Sequence, residues 1–138
     1  MTKRTPFRRA AVPLLAATFT IATLSSARAA TPQELLADYA AQAGTAASAP
    51  RGAALFTQRH GQEWSCATCH GAPPMQTGRH ASTGKPIGAL APAFNAERFT
   101  DSAKVEKWFR RNCNDVIGRE CSAGEKADVI AWLLTIKR

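Results

Sequence analysis

Apolar residues recur at three- and four-residue steps in three stretches of the chain, and this spacing predicts amphipathic helices. The residues on these faces are Leu35, Leu36, Tyr39 and Ala43; Val105, Trp108 and Phe109, followed by Asn112; and Val129, Ile130, Leu133, Leu134 and Ile136, with Trp132 near them. No stretch alternates apolar and polar residues as an exposed strand does. The pattern therefore predicts an all-α fold of four or five helices.

Residues at the expected helix ends agree with this assignment. Thr31 with Glu34 and Ser122 with Glu125 have the spacing of a capping box, in which each side chain binds the other residue's backbone N–H. Both pairs stand directly before an apolar periodic stretch. We therefore expect the first and last helices to begin there.

A further helix is expected at residues 50–59. Gly52 and Phe56 stand one turn apart on its face, where the glycine lets another helix approach closely and the phenylalanine fills the space beside it. We expect the last helix to cross at this point, through Ile130 and Trp132. Such a crossing resembles the one in class I cytochrome c folds.

Residues 71–99 show no periodic pattern and contain four prolines and four glycines, which predicts a long loop. A loop of this length in a compact domain needs a function, and enclosing a bound group is sufficient. The next helix is expected to begin at Thr100 or Asp101 and to end at Asn112, before a short loop that contains Gly118. Its charged positions are interpreted as a solvated surface; they are Lys104, Glu106, Lys107, Arg110 and Arg111.

The N-terminus has the three parts of a Sec-type export signal: a basic start, a mostly apolar stretch from Ala10 to Leu24, and a small-x-small cleavage pattern at Ala27-Arg28-Ala29. Cleavage would leave Ala30 as the first residue, in the periplasm. The alternative is an uncleaved membrane anchor. The apolar stretch is short for a span of about 20 residues, and Pro13 interrupts it.

The net charge of +8 overstates how basic the exported protein is. Five of the 18 basic residues precede residue 30, which leaves 13 against 10 acids, or +3. A weakly charged chain lacks the electrostatic footprint of a nucleic-acid-binding protein, so we expect no nucleic acid partner.

The sequence Cys66-Ala67-Thr68-Cys69-His70 is the attachment signature of a c-type haem. Two thiols three residues apart reach one porphyrin edge, and the following imidazole is placed to bind the iron. We assign Cys66 and Cys69 to covalent attachment of one haem c and His70 to the proximal iron position. The alternatives are a structural zinc site, which needs two more close ligands, and a thioredoxin-like pair, which needs a βαβ context.

Export to the periplasm also affects the expected oxidation state of the other two cysteines. The periplasm is oxidising, so Cys113 and Cys121 are expected to form a disulfide.

The function depends on the sixth position of the iron, because a strong ligand there makes an electron carrier and an open position admits small molecules. Met75 follows His70 by only five residues and would have to cross to the other haem face. His60 and His80 are lone histidines, which are more often surface residues. After residue 80 the chain contains no methionine or histidine.

From about Arg51 to Leu134, the sequence resembles the sphaeroides haem protein (SHP) family. The resemblance is carried by the haem motif and by residues 83–85, 89–92, 98–101, 104–113 and 118–121. It implies a class I-like monohaem cytochrome with Asn112 as a distal ligand that leaves the iron on reduction, beside a Cys113–Cys121 bridge. By itself Asn112 is equally a residue type that ends a helix in a left-handed turn.

The chain is expected to consist of a cleaved signal at residues 1–29, an N-terminal helical extension at 30–50 and a cytochrome c domain at 51–138. The family resemblance implies a protein that takes an electron from a redox donor, a dihaem cytochrome c, and binds oxygen or nitric oxide as a small diatomic ligand. A monomer is expected. No membrane span is expected after signal cleavage. Two alternatives remain: a simple electron shuttle with a permanently six-coordinate haem, and a weak oxygen-reducing or peroxidase catalyst.

Overall fold

The computed structural model describes residues 29–61 and 63–138, so the signal expected at residues 1–29 lies almost wholly outside them. The described helices are α1 (Pro32–Ala43), α2 (Ala49–Thr57), α3 (Cys66–His70), α4 (Ser102–Ile117) and α5 (Ala123–Thr135). Two short strands, β1 (Gly78–Arg79) and β2 (Pro86–Ile87), pair antiparallel. The all-α fold class is confirmed.

The helices begin at the caps that the sequence indicates. The Glu34 N–H donates to Thr31 Oγ1 at 3.1 Å, and the Thr31 N–H donates to the Glu34 carboxylate at 2.8 Å. The box of Ser122 with Glu125 begins α5 in the same way. Of the two candidates at the start of α4, Asp101 is the cap, since its carboxylate accepts from the Lys104 N–H at 2.9 Å.

Helix α2 crosses α5 where Gly52 meets the backbone of Asp128. A Cβ at residue 52 would collide with the Asp128 carbonyl, so only glycine permits this approach. The Phe56 ring is fully buried beside the crossing and lies 4.9 Å from the Trp132 ring. The predicted crossing is therefore confirmed.

A second contact holds the same two helices together. The buried carboxylate of Asp128 accepts from the Ser48 N–H at 2.6 Å and from the Arg51 guanidinium at 2.7 and 2.9 Å. Three hydrogen bonds from the start of α2 thus stabilise this anion and compensate its desolvation.

One hydrophobic core extends through α1, α2, α4 and α5. Its buried members are Leu35, Tyr39, Phe56, Phe99, Val105, Ala127, Val129, Ile130 and Leu133. Helix α1 packs closely on α5, and the boundary expected between residues 50 and 51 falls inside α2.

Helix α4 is longer than its apolar pattern suggested. The prediction that it ends at Asn112 was wrong, because the helix continues to Ile117 and buries Val116. Gly118 ends it in the left-handed conformation, with its N–H donating to the Cys113 and Asn114 carbonyls. Trp108 was expected to face inward but is 43% exposed, with the Arg111 guanidinium 5.5 Å from its ring centroid.

Residues 71–99 are mostly irregular, as expected, apart from the strands β1 and β2. In the part of the chain that the structure describes, no helix has the length and apolar character that a bilayer crossing requires.

Candidate functional site

Helix α3 presents Cys66 and Cys69 one turn apart, both half-buried and outside the disulfide. The chain enters the helix at Ser65, whose N–H donates to Thr68 Oγ1 at 3.0 Å. Burial raises the pKa of the Cys66 thiol to about 11, so it is neutral at physiological pH. The spacing of the haem motif is therefore realised as a single helical turn.

His70 closes this helix in a largely apolar setting. Its ring centroid lies 6.1 Å from that of Phe56, on the side where α2 crosses α5. Burial, assisted by the positive charge of Arg98, lowers the pKa of His70 from 6.5 to about 4. The imidazole is consequently neutral, which is the form that binds a metal.

Arg98 organises the loop beside His70. Its guanidinium donates to the Ala89 carbonyl at 2.8 Å and to the Gly88 carbonyl at 2.6 Å. The Asn95 amide donates to the same Ala89 carbonyl at 3.2 Å. Burial lowers the pKa of Arg98, yet an arginine remains charged, so this side chain keeps a positive charge near the proposed iron position.

The hairpin of β1 and β2 lies against α3. Gly78 approaches so closely that a Cβ there would collide with the Cys69 carbonyl. The Ala81 N–H donates to the Cys69 sulfur at 3.3 Å. Because a thioether sulfur is still a weak acceptor, this contact is compatible with covalent attachment at Cys69.

Asn112 lies inside α4, half-buried, between the core residues Val105 and Val116. Helices α3 and α4 border the same core, since Cys66 and Phe109 both pack against it. The alternative reading of Asn112 as a residue in a left-handed helix end is excluded by its position within the helix.

The next residue, Cys113, is buried and forms the expected disulfide with Cys121. This bridge ties the interior of α4 to the residue just before the cap of α5. The Arg119 guanidinium spans the same turn and donates to both carboxylate oxygens of Glu125, at 2.8 and 2.6 Å.

Two of the three remaining candidates for the distal position, His60 and His80, have local partners. The His60 ring Nε2 lies 2.8 Å from the Leu55 carbonyl. His80 Nδ1 lies 3.2 Å from the Ser82 hydroxyl and accepts from the Thr83 N–H at 3.4 Å. Met75 is half-buried five residues after His70.

Sequence reasoning missed two groups of side chains. Glu106 was assigned to a solvated surface, but it binds Tyr39 and Lys126. Arg98 was noted only as part of a family motif. A helical-wheel projection that includes charged residues could have indicated Glu106, which stands three residues before the half-buried Phe109. No local signal identifies its partners.

Comparisons with known proteins agree with this site. A family model described as a domain of unknown function, DUF1924, matches residues 42–133. The chain is 56% identical over 106 residues to the cytochrome c-type protein SHP of Cereibacter sphaeroides, covering 74% of this chain and 81% of that protein.

Two solved structures are also similar. Oxidised SHP, described as an oxygen-binding cytochrome c, matches with a TM-score of 0.72 and 53% identity over 78% of this chain and 99% of that one. The solution structure of cytochrome c'' from Methylophilus methylotrophus, presented with insights into haem-ligand detachment, matches with a TM-score of 0.67 and 38% identity. That match covers 78% of this chain and 94% of the other.

A helical fold built around the Cys66–His70 motif, with these relatives, defines a c-type cytochrome. Its cofactor is one covalently bound haem c. Within that class, the chain belongs to the SHP family.

The side chains present fit such a group. Two half-buried thiols on one helical turn are suitably placed for covalent attachment of one haem. The imidazole of the next residue, His70, is neutral and can bind a metal. When bound, haem supplies an iron that cycles between ferric and ferrous states. The polypeptide supplies the two attachment thiols, a neutral imidazole beside them and the apolar surroundings.

Proposed function

We propose that this chain is a periplasmic monohaem cytochrome in which the Asn112 amide oxygen holds ferric iron and leaves it on reduction. The open ferrous site then takes a small diatomic ligand, oxygen or nitric oxide. Cys66 and Cys69 attach the haem, and His70 is the proximal ligand. The export signal expected at residues 1–29 is the basis for the periplasmic location.

The environment of the Asn112 side chain carries this proposal. The amide is half-buried, yet within residues 29–61 and 63–138 it has no hydrogen-bond partner. Other asparagines on and near α4 are engaged: Asn114 donates to the Arg110 carbonyl at 2.7 Å, and Asn95 donates to Ala89. Neither polar atom of this amide is sealed from solvent, so the side chain is free to bind a metal ion without breaking a hydrogen bond within the protein.

The chemistry of an amide explains why its bond to iron would depend on oxidation state. An amide oxygen is a hard, neutral donor, and ferric iron is the harder of the two iron states. Reduction weakens this bond, whereas the His70 imidazole suits both states. Asn112 is therefore expected to leave while His70 stays.

The relatives support the same reading. SHP is described as an oxygen-binding cytochrome c, and the cytochrome c'' structure addresses haem-ligand detachment. We extend both properties to this chain. We further propose that the protein is a monomer that receives its electron from a dihaem cytochrome c.

The test is the substitution Asn112→Ala, with Asn114→Ala as the matched control two residues along the same helix. We expect Asn112→Ala to convert the oxidised protein from a six-coordinate, low-spin spectrum to a high-spin one. The control is expected to retain the parent spectrum, because Asn114 is exposed and bonds only to its own helix.

Carbon monoxide binding to the reduced protein completes this test. We expect fast binding in the parent and in both variants, since Asn112 has already left the ferrous iron. An oxidised spectrum unchanged by Asn112→Ala would refute the ligand assignment. A reduced parent protein that does not bind carbon monoxide would indicate a simple electron shuttle.

A further inference from the structure

Glu106 joins α4 to two other helices. Its Oε2 accepts from the Tyr39 hydroxyl of α1 at 2.8 Å, and its Oε1 accepts from the Lys126 ammonium of α5 at 2.6 Å. The two oxygens of one carboxylate thus bind side chains from two different helices. We call these three residues the Glu106 cluster.

The Glu106 cluster contains the nearly buried ammonium group of Lys126, which needs a partner of opposite charge. The Lys126 side chain is only 11% exposed, and its ammonium lies 5.3 Å from the centroid of the Tyr39 ring. A lysine this buried requires an anionic partner. The hydrogen bond from Lys126, followed by that from Tyr39, lowers the pKa of Glu106, so the carboxylate is ionised and meets this requirement.

The cluster lies on the side of α4 next to the one that bears Asn112. Asn112 is six positions after Glu106, which places it about 9 Å along the axis and about 120° around it. Between them in the chain, Phe109 forms a T-shaped ring pair with Tyr39, with a centroid distance of 6.0 Å and an interplanar angle of 85°. Tyr39 therefore contacts α4 on two successive turns.

These contacts restrain the rotation of α4 about its own axis. The close helix packing in the described structure is that of α1 and α2 on α5, and α4 is joined to them through its side chains and the disulfide. On a helix about 6 Å in radius, a rotation of about 10° moves a side-chain tip by about 1 Å. A displacement of that size matters for a weak ligand.

We propose that Glu106 is a positioning residue: bound by Tyr39 and Lys126, it sets the rotation of α4 and so controls how firmly Asn112 holds ferric iron. This inference rests on the proposed role of Asn112. Loss of the cluster increases the time that the oxidised iron is open. It leaves the reduced iron unaffected, because Asn112 has already left it.

The decisive variant is Glu106→Gln, and Asp115→Asn is its matched control. Asp115 lies on the same helix, nearer to Asn112 in sequence, and its side chain is about as exposed as that of Glu106, at 55% against 46%. Its ion pair, however, is with Arg111 of its own helix and is 3.8 Å long. Both changes remove one negative charge from α4. We expect Glu106→Gln to accelerate cyanide binding to the oxidised protein roughly tenfold, given the sensitivity of reactive geometry to displacements of about 1 Å. Asp115→Asn is expected to leave that rate unchanged.

Carbon monoxide binding to the reduced protein separates positioning from general loosening. We expect the Glu106→Gln rate to equal the parent rate. If Glu106→Gln accelerates both cyanide binding to the oxidised protein and carbon monoxide binding to the reduced protein, the cluster acts on the whole haem pocket and the inference is wrong. Equal effects of Glu106→Gln and Asp115→Asn would also overturn it, because the cause would then be charge.

A third arm uses the Asn112→Ala background, in which Glu106→Gln should have no further effect on cyanide binding. A persistent effect there would overturn the inference. If Asn112→Ala alone leaves the oxidised spectrum unchanged, the proposed function fails and not only the inference. If Glu106→Gln does not accumulate, Tyr39→Phe can replace it, because it keeps the aromatic ring and the ion pair of Glu106 with Lys126. The inference then requires faster cyanide binding to the oxidised protein and an unchanged rate of carbon monoxide binding to the reduced protein.

Discussion

The side chains of His70 and Asn112, the two proposed iron ligands, lie in different environments. Burial keeps the His70 imidazole neutral, with a pKa of about 4, and the Phe56 ring packs beside it. Asn112 has no charge to suppress. Its half-buried amide instead lacks a hydrogen-bond partner among the described residues. These two environments support the proposal that His70 is a permanent ligand and Asn112 a releasable one.

At the scale of single residues, Gly52 gives the sharpest stability prediction. We expect Gly52→Ala to lower the free energy of unfolding by about 2–3 kcal/mol, because the new methyl group meets the Asp128 carbonyl and neither backbone can yield. Denaturant titration of the haem-containing protein measures this change.

Gly124→Ala is the matched control for Gly52→Ala. A Cβ at residue 124 would lie 3.6 Å from the Ala43 Cβ, which is an ordinary contact. Since alanine also favours the helix, we expect stability to be unchanged or raised by up to about 1 kcal/mol. Equal losses in the two variants would show that the crossing tolerates a side chain.

At the scale of elements, the length of α4 changes how the disulfide acts. Because the helix continues to Ile117, the bridge from Cys113 holds the interior of α4, one residue after Asn112. The Glu106 cluster holds the same helix from its first half. The proposed ligand thus lies between two attachment points on one rigid element.

Replacing both bridge cysteines, Cys113→Ser with Cys121→Ser, should lower the free energy of unfolding by about 2–3 kcal/mol, the chain-entropy value for a loop of this length. We also expect faster cyanide binding to the oxidised protein, because α4 loses one of its attachments. Thermal or denaturant unfolding and stopped-flow mixing measure the two effects. A loss of stability with no change in the cyanide rate would make the bridge a structural staple alone.

At the scale of the whole molecule, acid sensitivity depends on paired carboxylates. The hydrogen bond from Arg119, then those from Ser122, lower the pKa of Glu125 from 4.5 to about 2. The folded protein therefore takes up this proton less readily than the unfolded chain. The contribution of ionised Glu125 to the free energy of unfolding is complete above pH 4.5 and is lost as the pH falls towards 2.

We accordingly expect Glu125→Gln to be less stable than the parent at pH 7, with a difference that shrinks between pH 4.5 and 2. Glu120→Gln, at an exposed residue in the same turn, is the control and should show no such convergence. Denaturant titrations at pH 7, 4.5 and 3 measure the difference in free energy of unfolding between each variant and the parent. A difference that stays constant with pH would contradict the assignment of this pair.

Most of the helical framework could be predicted because its signals are local. The capping boxes at Thr31 and Ser122 act within four residues, and both begin helices as expected. The end of α4 was misplaced because Asn112 is acceptable both inside a helix and at its end. Burial of Val116 decided between the two, and that burial depends on the packed core.

The sequence by itself determined the haem attachment motif, the family and the starts of the main helices, since these depend on short spacings and local caps. Only the tertiary structure decided which charges are paired and which amide has no hydrogen-bond partner among residues 29–61 and 63–138. Tyr39 and Glu106 are 67 residues apart in the chain, and Glu106 and Lys126 are 20 apart. Contacts of this kind arise only when packing brings distant helices together, so no local pattern encodes them.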